Sequence, residues 1–200
     1  MSIRRALLPL LALTVPLLFL TAAPAGNPPP SYSRIGGPAF EYNYQTKETL
    51  FQGNRGNQAW ILHKDYRINA NRIFWNRETE IGRCFDDVRI VDITNDIVIT
   101  GGSAWHYSKE GRSLVRQNPV LLFRKNNVRI EAEEMVRTAA DKTARAMRNV
   151  VITSKDGIAR GDMAVYDLKA KTITLTGDPV LEQKSNTHRA EKMVFHDREN

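Results

Sequence analysis

The chain has 200 residues, 26% charged and 42% hydrophobic, with a formal net charge of +7 at pH 7. That length suits one domain, and a lone cysteine, Cys84, excludes an internal disulfide framework. The basic residues are scattered rather than gathered in one run, which argues against nucleic acid as a partner and suits anionic headgroups or phosphates.

At the N-terminus, Arg4 and Arg5 precede an almost wholly apolar run from Ala6 to Leu20, and Ala23-Pro24-Ala25 fits a small-x-small cleavage site. Residues 1–25 read as a signal peptide for export, with an uncleaved N-terminal anchor as the alternative. Pro9 and Pro16 interrupt such a span. Cleavage after Ala25 would leave a charge of +5, the +7 less two arginines. Residues 26–38, rich in Pro and Ser, read as an extended linker. Residues 39–200 form the expected folded domain.

From residue 70 onward a unit of about 30 residues recurs. Its openings are at Ala70, Gly101, Ala132, Gly161 and Ala190, each a small residue followed by polar positions and a short apolar or aromatic run. A fainter copy begins at Ala39. A second anchor follows the first four openings by 17 residues, at Asp87, Asn118, Asn149 and Asp178. Short β-branched and aromatic runs favour strands. Thr172–Thr176 alternates polar and apolar, the period of a half-buried strand. Gly177-Asp178-Pro179 is a turn, because Gly tolerates positive φ and Pro presets φ. Glu131–Met147 taken alone has helical spacing, but its anchors keep register with the neighbouring units, so it is assigned to strands. The expectation is an all-β, antiparallel domain whose units add side by side.

Chemistry is sparse. His63, His106, His188 and His196 have no Cys, Asp or Glu at metal-ligand spacing, so no metal and no cofactor are expected. No nucleophile elbow, phosphate loop or dinucleotide fingerprint occurs, so an enzyme is not expected. Asp86-Asp87 and Glu133-Glu134 would point to opposite faces of strands as solvated charges. Cys84 shares an apolar column with Val115, Ala146 and Leu175 and is expected to be a small buried hydrophobe. His106 and Arg137 interrupt a column otherwise held by Trp75, Tyr166 and Phe195. Contact with an anionic ligand is one reading of them, and a place near a strand end or solvent is the expected one.

Residues 161–183, from Gly161-Asp-Met-Ala-Val-Tyr-Asp to Thr172-Ile-Thr-Leu-Thr-Gly-Asp-Pro-Val-Leu-Glu-Gln183, together with Ala190-Glu-Lys-Met-Val-Phe-His-Asp197, carry a resemblance. This pattern resembles the OstA-like domain of the lipopolysaccharide transport proteins, as in LptA and the periplasmic part of LptD. Residues 70–160 follow it more loosely and residues 26–60 faintly. The resemblance implies an elongated, twisted β-jellyroll open along one side. It also implies a periplasmic carrier moving lipopolysaccharide from the inner to the outer membrane, joined head to tail with similar β-jellyroll domains through terminal edge strands.

A lipid carrier needs continuous apolar contact, since each buried methylene is worth about 0.8 kcal/mol. The candidate lining is Ile73, Ala104, Met135, Ala164 and Met193, then Trp75, Tyr166 and Phe195, extended by Val88, Ile90, Leu121, Val150, Ile152, Ile173, Leu175 and Leu181. Acyl chains of lipid A are the expected contents. About 11 strands would give a groove on the order of 50 Å long. Ala190–His196 would be an edge strand open to a partner's terminal strand. Two alternatives stand beside the carrier: an inner-membrane-anchored component like LptC, and a structural envelope repeat protein binding protein or peptidoglycan.

Overall fold

The computed structural model describes residues 33–63, 65–125 and 127–196. The expected signal peptide and residues 26–32 of the linker lie outside them. Eighteen strands follow in chain order. They are β1 (Arg34–Gly36), β2 (Ala39–Asn43), β3 (Glu48–Gln52), β4 (Ala59–Leu62), β5 (Tyr66–Ala70), β6 (Arg72–Asn76), β7 (Ile81–Asp92), β8 (Ile97–Tyr107) and β9 (Arg112–Arg116). Then come β10 (Val120–Phe123), β11 (Arg129–Glu131), β12 (Glu134–Thr138), β13 (Thr143–Ser154), β14 (Gly157–Asp167), β15 (Thr172–Thr176), β16 (Val180–Gln183), β17 (Asn186–Arg189) and β18 (Lys192–His196). The stretch with helical spacing is thus β11, β12 and the start of β13. The ladder also takes in Arg34–Gly36, which the sequence places in the linker; this strand pairs with β4.

All pairings are antiparallel, and they resolve into two facing layers. Layer one runs β1-β4-β5-β7-β8-β10-β11-β13-β14-β16-β17. Layer two runs β2-β3-β6-β7-β8-β9-β12-β13-β14-β15-β18. The four long strands β7, β8, β13 and β14 pass through both layers, so the whole is one hydrogen-bonded jellyroll. Eleven strand segments per layer, at about 4.8 Å each, extend it to about 50 Å.

The second sequence anchor marks where the chain turns from layer to layer. Asp86 and Asp87, Gln117 and Asn118, Arg148 and Asn149, and Gly177 and Asp178 are consecutive positive-φ pairs. The left-handed region is uncommon for L-residues and is visited most readily by Gly, Asn and Asp, which is why the anchor is Asp or Asn in every unit. In β7 and β13 the pair forms a bulge, with register shifts between Phe85 and Val88 and between Met147 and Val150. At Gly177, φ is +81°, and a Cβ would stand 2.5 Å from the Asp162 Cβ. The acidic pairs therefore lie at corners instead of alternating in a flat strand. Asp86 meets Arg72 at 2.7 Å, while Glu133 and Glu134 both reach Arg148.

All layer crossings lie on this cornered side. On the other side, two rows of hairpin turns face each other. The layer-two turns are pinned by side-chain carbonyls. Asn43, Asn76 and Asp167 each accept two backbone N–H bonds from the turn that follows. Lys47, Glu80, Gly111, Lys142 and Lys171 close these turns in the left-handed region. The backbone is thus open along one side, and side chains alone decide whether the mouth is shut.

Candidate functional site: an apolar interior and its seam

Alternation sends every second residue inward. The central inner row of layer one is Ile61-Ile68-Ile90-Ile99-Leu121-Ile130-Ile152-Ala159-Leu181, read across the strands from β4 to β16. The central inner row of layer two is Ile73-Cys84-Ala104-Val115-Met135-Ala146-Ala164-Leu175-Met193. A third row borders the open side: Trp75-Gly82-His106-Ser113-Arg137-Ala144-Tyr166-Ile173-Phe195. Val88 and Val150 sit inward beside the corners. All sixteen residues of the expected lining face the interior; twelve are buried, and Trp75, Leu181, Met193 and Phe195 are partly buried against the same core.

From β4 to β13 the interior is a packed core. Missing Cβ atoms let the layers close together there: a Cβ on Gly82 would meet Ile61 of the opposite layer at 2.9 Å. Cys84 is fully buried in this core, and desolvation pushes its thiol pKa up to about 12.

The interior opens at the C-terminal end. A cleft of ≈ 310 Å³ is lined by five of the expected residues, Ile152, Tyr166, Ile173, Leu181 and Phe195, and by Phe123 and Val128. Ser154, Asp156, Gln183 and His196 give it a polar lip. At this end β17 is wholly exposed and β18 alternates between exposed and partly buried.

Among the described residues, side-chain contacts from successive units cross the open side. Tyr66 of layer one places its hydroxyl 2.9 Å from His106 Nε2 of layer two. Arg137 Nε donates to Asp92 Oδ2 at 3.0 Å, and Nη2 donates to the same oxygen. The Phe123 and Tyr166 rings meet edge to face, with centroids 4.5 Å apart. Ser33 and Ser108 add a hydroxyl contact at 3.1 Å. The Arg137 guanidinium also lies 4.9 Å over the Tyr66 ring, and His106 Nδ1 is 3.0 Å from Ser113 Oγ.

His106 and Arg137 each lie one residue from the end of their strands, β8 and β12, as expected, but they are buried, at 0% and 7% exposure, and not near solvent. The reason lies in partners at long range, Tyr66 and Asp92, which no local pattern pairs with them. Burial holds the His106 imidazole neutral, its pKa lowered to about 4, with His63 and Arg137 adding like-charge repulsion. Burial likewise raises the Tyr66 hydroxyl to about 12, against the opposing pull of Arg137.

The lining residues missed from the sequence are chiefly Ile61, Ile68, Ile99, Ile130 and Phe123. A usable signal existed. Ile68 to Ile90, Ile99 to Leu121, Ile130 to Ile152 and Ala159 to Leu181 are all separated by the same interval. Among the described residues, no group of three His, Cys, Asp or Glu side chains is placed to hold a metal ion.

One family of known proteins matches the chain over most of its length. The family described as LptA/(LptD N-terminal domain) LPS transport protein matches residues 34–200. Among solved structures, the chain is similar to LptH of Pseudomonas aeruginosa, described as the LptA-homologous periplasmic component of the lipopolysaccharide transport device. Identity there is 8% and the TM-score 0.32, with 80% of this chain and 94% of that one covered. No curated protein matches the sequence. With its family match spanning the whole described jellyroll, the chain belongs to the LptA/LptD N-terminal domain family of lipopolysaccharide transport proteins.

Proposed function

We propose that this chain is a periplasmic carrier that holds the acyl chains of lipopolysaccharide between its two layers and passes them along a head-to-tail bridge. The observation that carries this reading is the cleft between the layers at the β14–β18 end, which is continuous with the apolar inner rows. A 12-carbon acyl chain is worth roughly 10 kcal/mol of transfer from water, so a carrier needs such a surface throughout transit. The lining comprises the inner rows, with Ile152, Tyr166, Ile173, Leu181 and Phe195 as the first residues a lipid meets.

The ends suit assembly. Among the described residues, β1 and β2 at one end and β17 and β18 at the other each pair on one side only. Edges of this kind add strands from a partner. Removing residues 190–200 takes away β18 and is expected to abolish head-to-tail association. Intact association in that truncation would exclude the assembly.

In-cell photo-crosslinking tests the cargo. A photoreactive residue at Tyr166, which lines the cleft, is expected to give lipopolysaccharide adducts. The same residue at Val165, on the outer face of β14, is expected to give none. Folded, exported protein without lipid adducts at Tyr166 would overturn the carrier reading and favour a structural envelope repeat.

A further inference from the structure

The polar contacts across the open side form a cluster that an apolar carrier does not need. Arg137–Asp92 stands apart among the described ion pairs, with side chains 8% and 2% exposed, whereas every other pair has at least one partner well exposed to solvent. A buried ion pair offers little net stability over a well-packed apolar pair, because both charges lose their hydration. It is, however, a contact that another anion can replace.

The two partners differ in what they keep if the seam parts. Asp92 Oδ1 accepts from the backbone N–H groups of Thr94 and Asn95 and from Asn95 Nδ2, so its turn holds the carboxylate without Arg137. The hydrogen bonds of the Arg137 guanidinium given by the structure go to Asp92 Oδ2. Once released, Arg137 calls for another anion, and its planar fork suits phosphate.

Position supplies the rest. On layer two, Arg137, Ala144 and Tyr166 are successive members of the seam row. Arg137 is therefore two strand spacings, roughly 10 Å, from the cleft wall at Tyr166. An amphiphile with an acyl chain in the cleft can reach it with a headgroup.

We infer that Tyr66, His106, Arg137 and Asp92 form a clasp on the seam, and that the phosphate of an acylated amphiphile opens it by taking the place of Asp92 on Arg137. This rests on the carrier reading above. It adds a phosphate site to an apolar groove and couples headgroup capture to opening of the packed half of the interior.

Cys84 supplies the reporter. It is the sole cysteine, fully buried on the inner face of β7, two residues from Gly82 of the seam row, and its raised pKa keeps the thiol inert until the layers part. The test measures maleimide alkylation of Cys84 in the folded protein with phosphorylated lipid A micelles, dephosphorylated lipid A micelles or inorganic phosphate alone. Lipid occupancy is followed in parallel by photo-crosslinking at Phe195.

The expected result is at least a tenfold acceleration by phosphorylated lipid A and none by the other two. Arg137→Met is expected to erase that discrimination. Asp92→Asn, which keeps the Oδ1 acceptor of the turn, is expected to raise the rate tenfold without lipid, and it serves if Arg137→Met does not fold. Equal acceleration by both lipids, acceleration by inorganic phosphate alone, or no acceleration while lipid crosslinks at Phe195 would each overturn the clasp and leave the carrier standing. Absence of lipid at Phe195 in every condition would remove the carrier reading and the clasp with it.

Discussion

Leu121 and Leu181 occupy the same column of the repeat, yet Leu121 is 3% exposed in the packed half while Leu181 is partly exposed at the cleft. The inner rows are apolar in both halves. What differs is the seam. In the packed half Tyr66 meets His106 and Asp92 meets Arg137, and at the boundary Phe123 meets Tyr166. Beyond that boundary the cleft opens between the Phe123 and Val128 side and the Ile173 and Phe195 side. The same repeat therefore makes a core or a groove according to what its layers carry at their rims.

Breaking the clasp should have the largest effect. Arg137→Met leaves the Asp92 carboxylate buried beside an apolar side chain and is expected to destabilise the fold by about 3–5 kcal/mol. Adding Asp92→Asn should recover much of that loss, since it removes the unpaired buried charge and keeps the Oδ1 acceptor of the turn. Urea unfolding of the single and double variants checks this. A double variant no more stable than the single would show that the unpaired Asp92 charge is not the source of the loss.

The column comparison comes next. Leu121→Ala is expected to cost about 2–5 kcal/mol, as a buried Leu removed from a core that cannot collapse around it. Leu181→Ala, whose side chain already borders open space, should cost about 1 kcal/mol or less while weakening lipid capture. Equal costs would mean that the cleft closes in solution.

Acid should loosen the packed half first. His106 has a folded pKa of about 4 against an ordinary 6.5, so the unfolded chain takes up the proton first as pH falls. Stability is full above about pH 7 and is expected to drop by about 2 kcal/mol by pH 5. His106→Gln should remove this dependence, as read from urea midpoints at the two pH values.

The smallest effect tests the hairpin turns of the open side. Glu80 holds φ at +56°. Glu80→Gly is expected to stabilise the domain by about 0.5–1 kcal/mol, because the left-handed strain outweighs the extra chain entropy of glycine. A rise in melting temperature would confirm it.

Much of this was legible in the chain. The repeat interval, the Asp or Asn anchor and the alternation of Thr172–Thr176 are local or periodic signals, and they specify strands in one register and an inward apolar set, whereas Asp86-Asp87 stands at a corner where alternation in a strand is expected. Ala, Met and Arg in Glu131–Met147 imitate a helix, yet the register of the anchors points to strands, as observed. For His106 and Arg137 the column shows the place near a strand end but not the burial, because the partners that bury them lie 40 and 45 residues away.

An all-β repeat with one apolar face per strand follows from the chain alone, because the repeat interval and the alternation of polar and apolar residues are set by near neighbours. Which stretch of that face is core and which is cleft is settled by packing between distant units. That choice depends on contacts across the open side, where, among the described residues, no backbone hydrogen bond joins the layers and single side chains from distant units close the gap or leave it open.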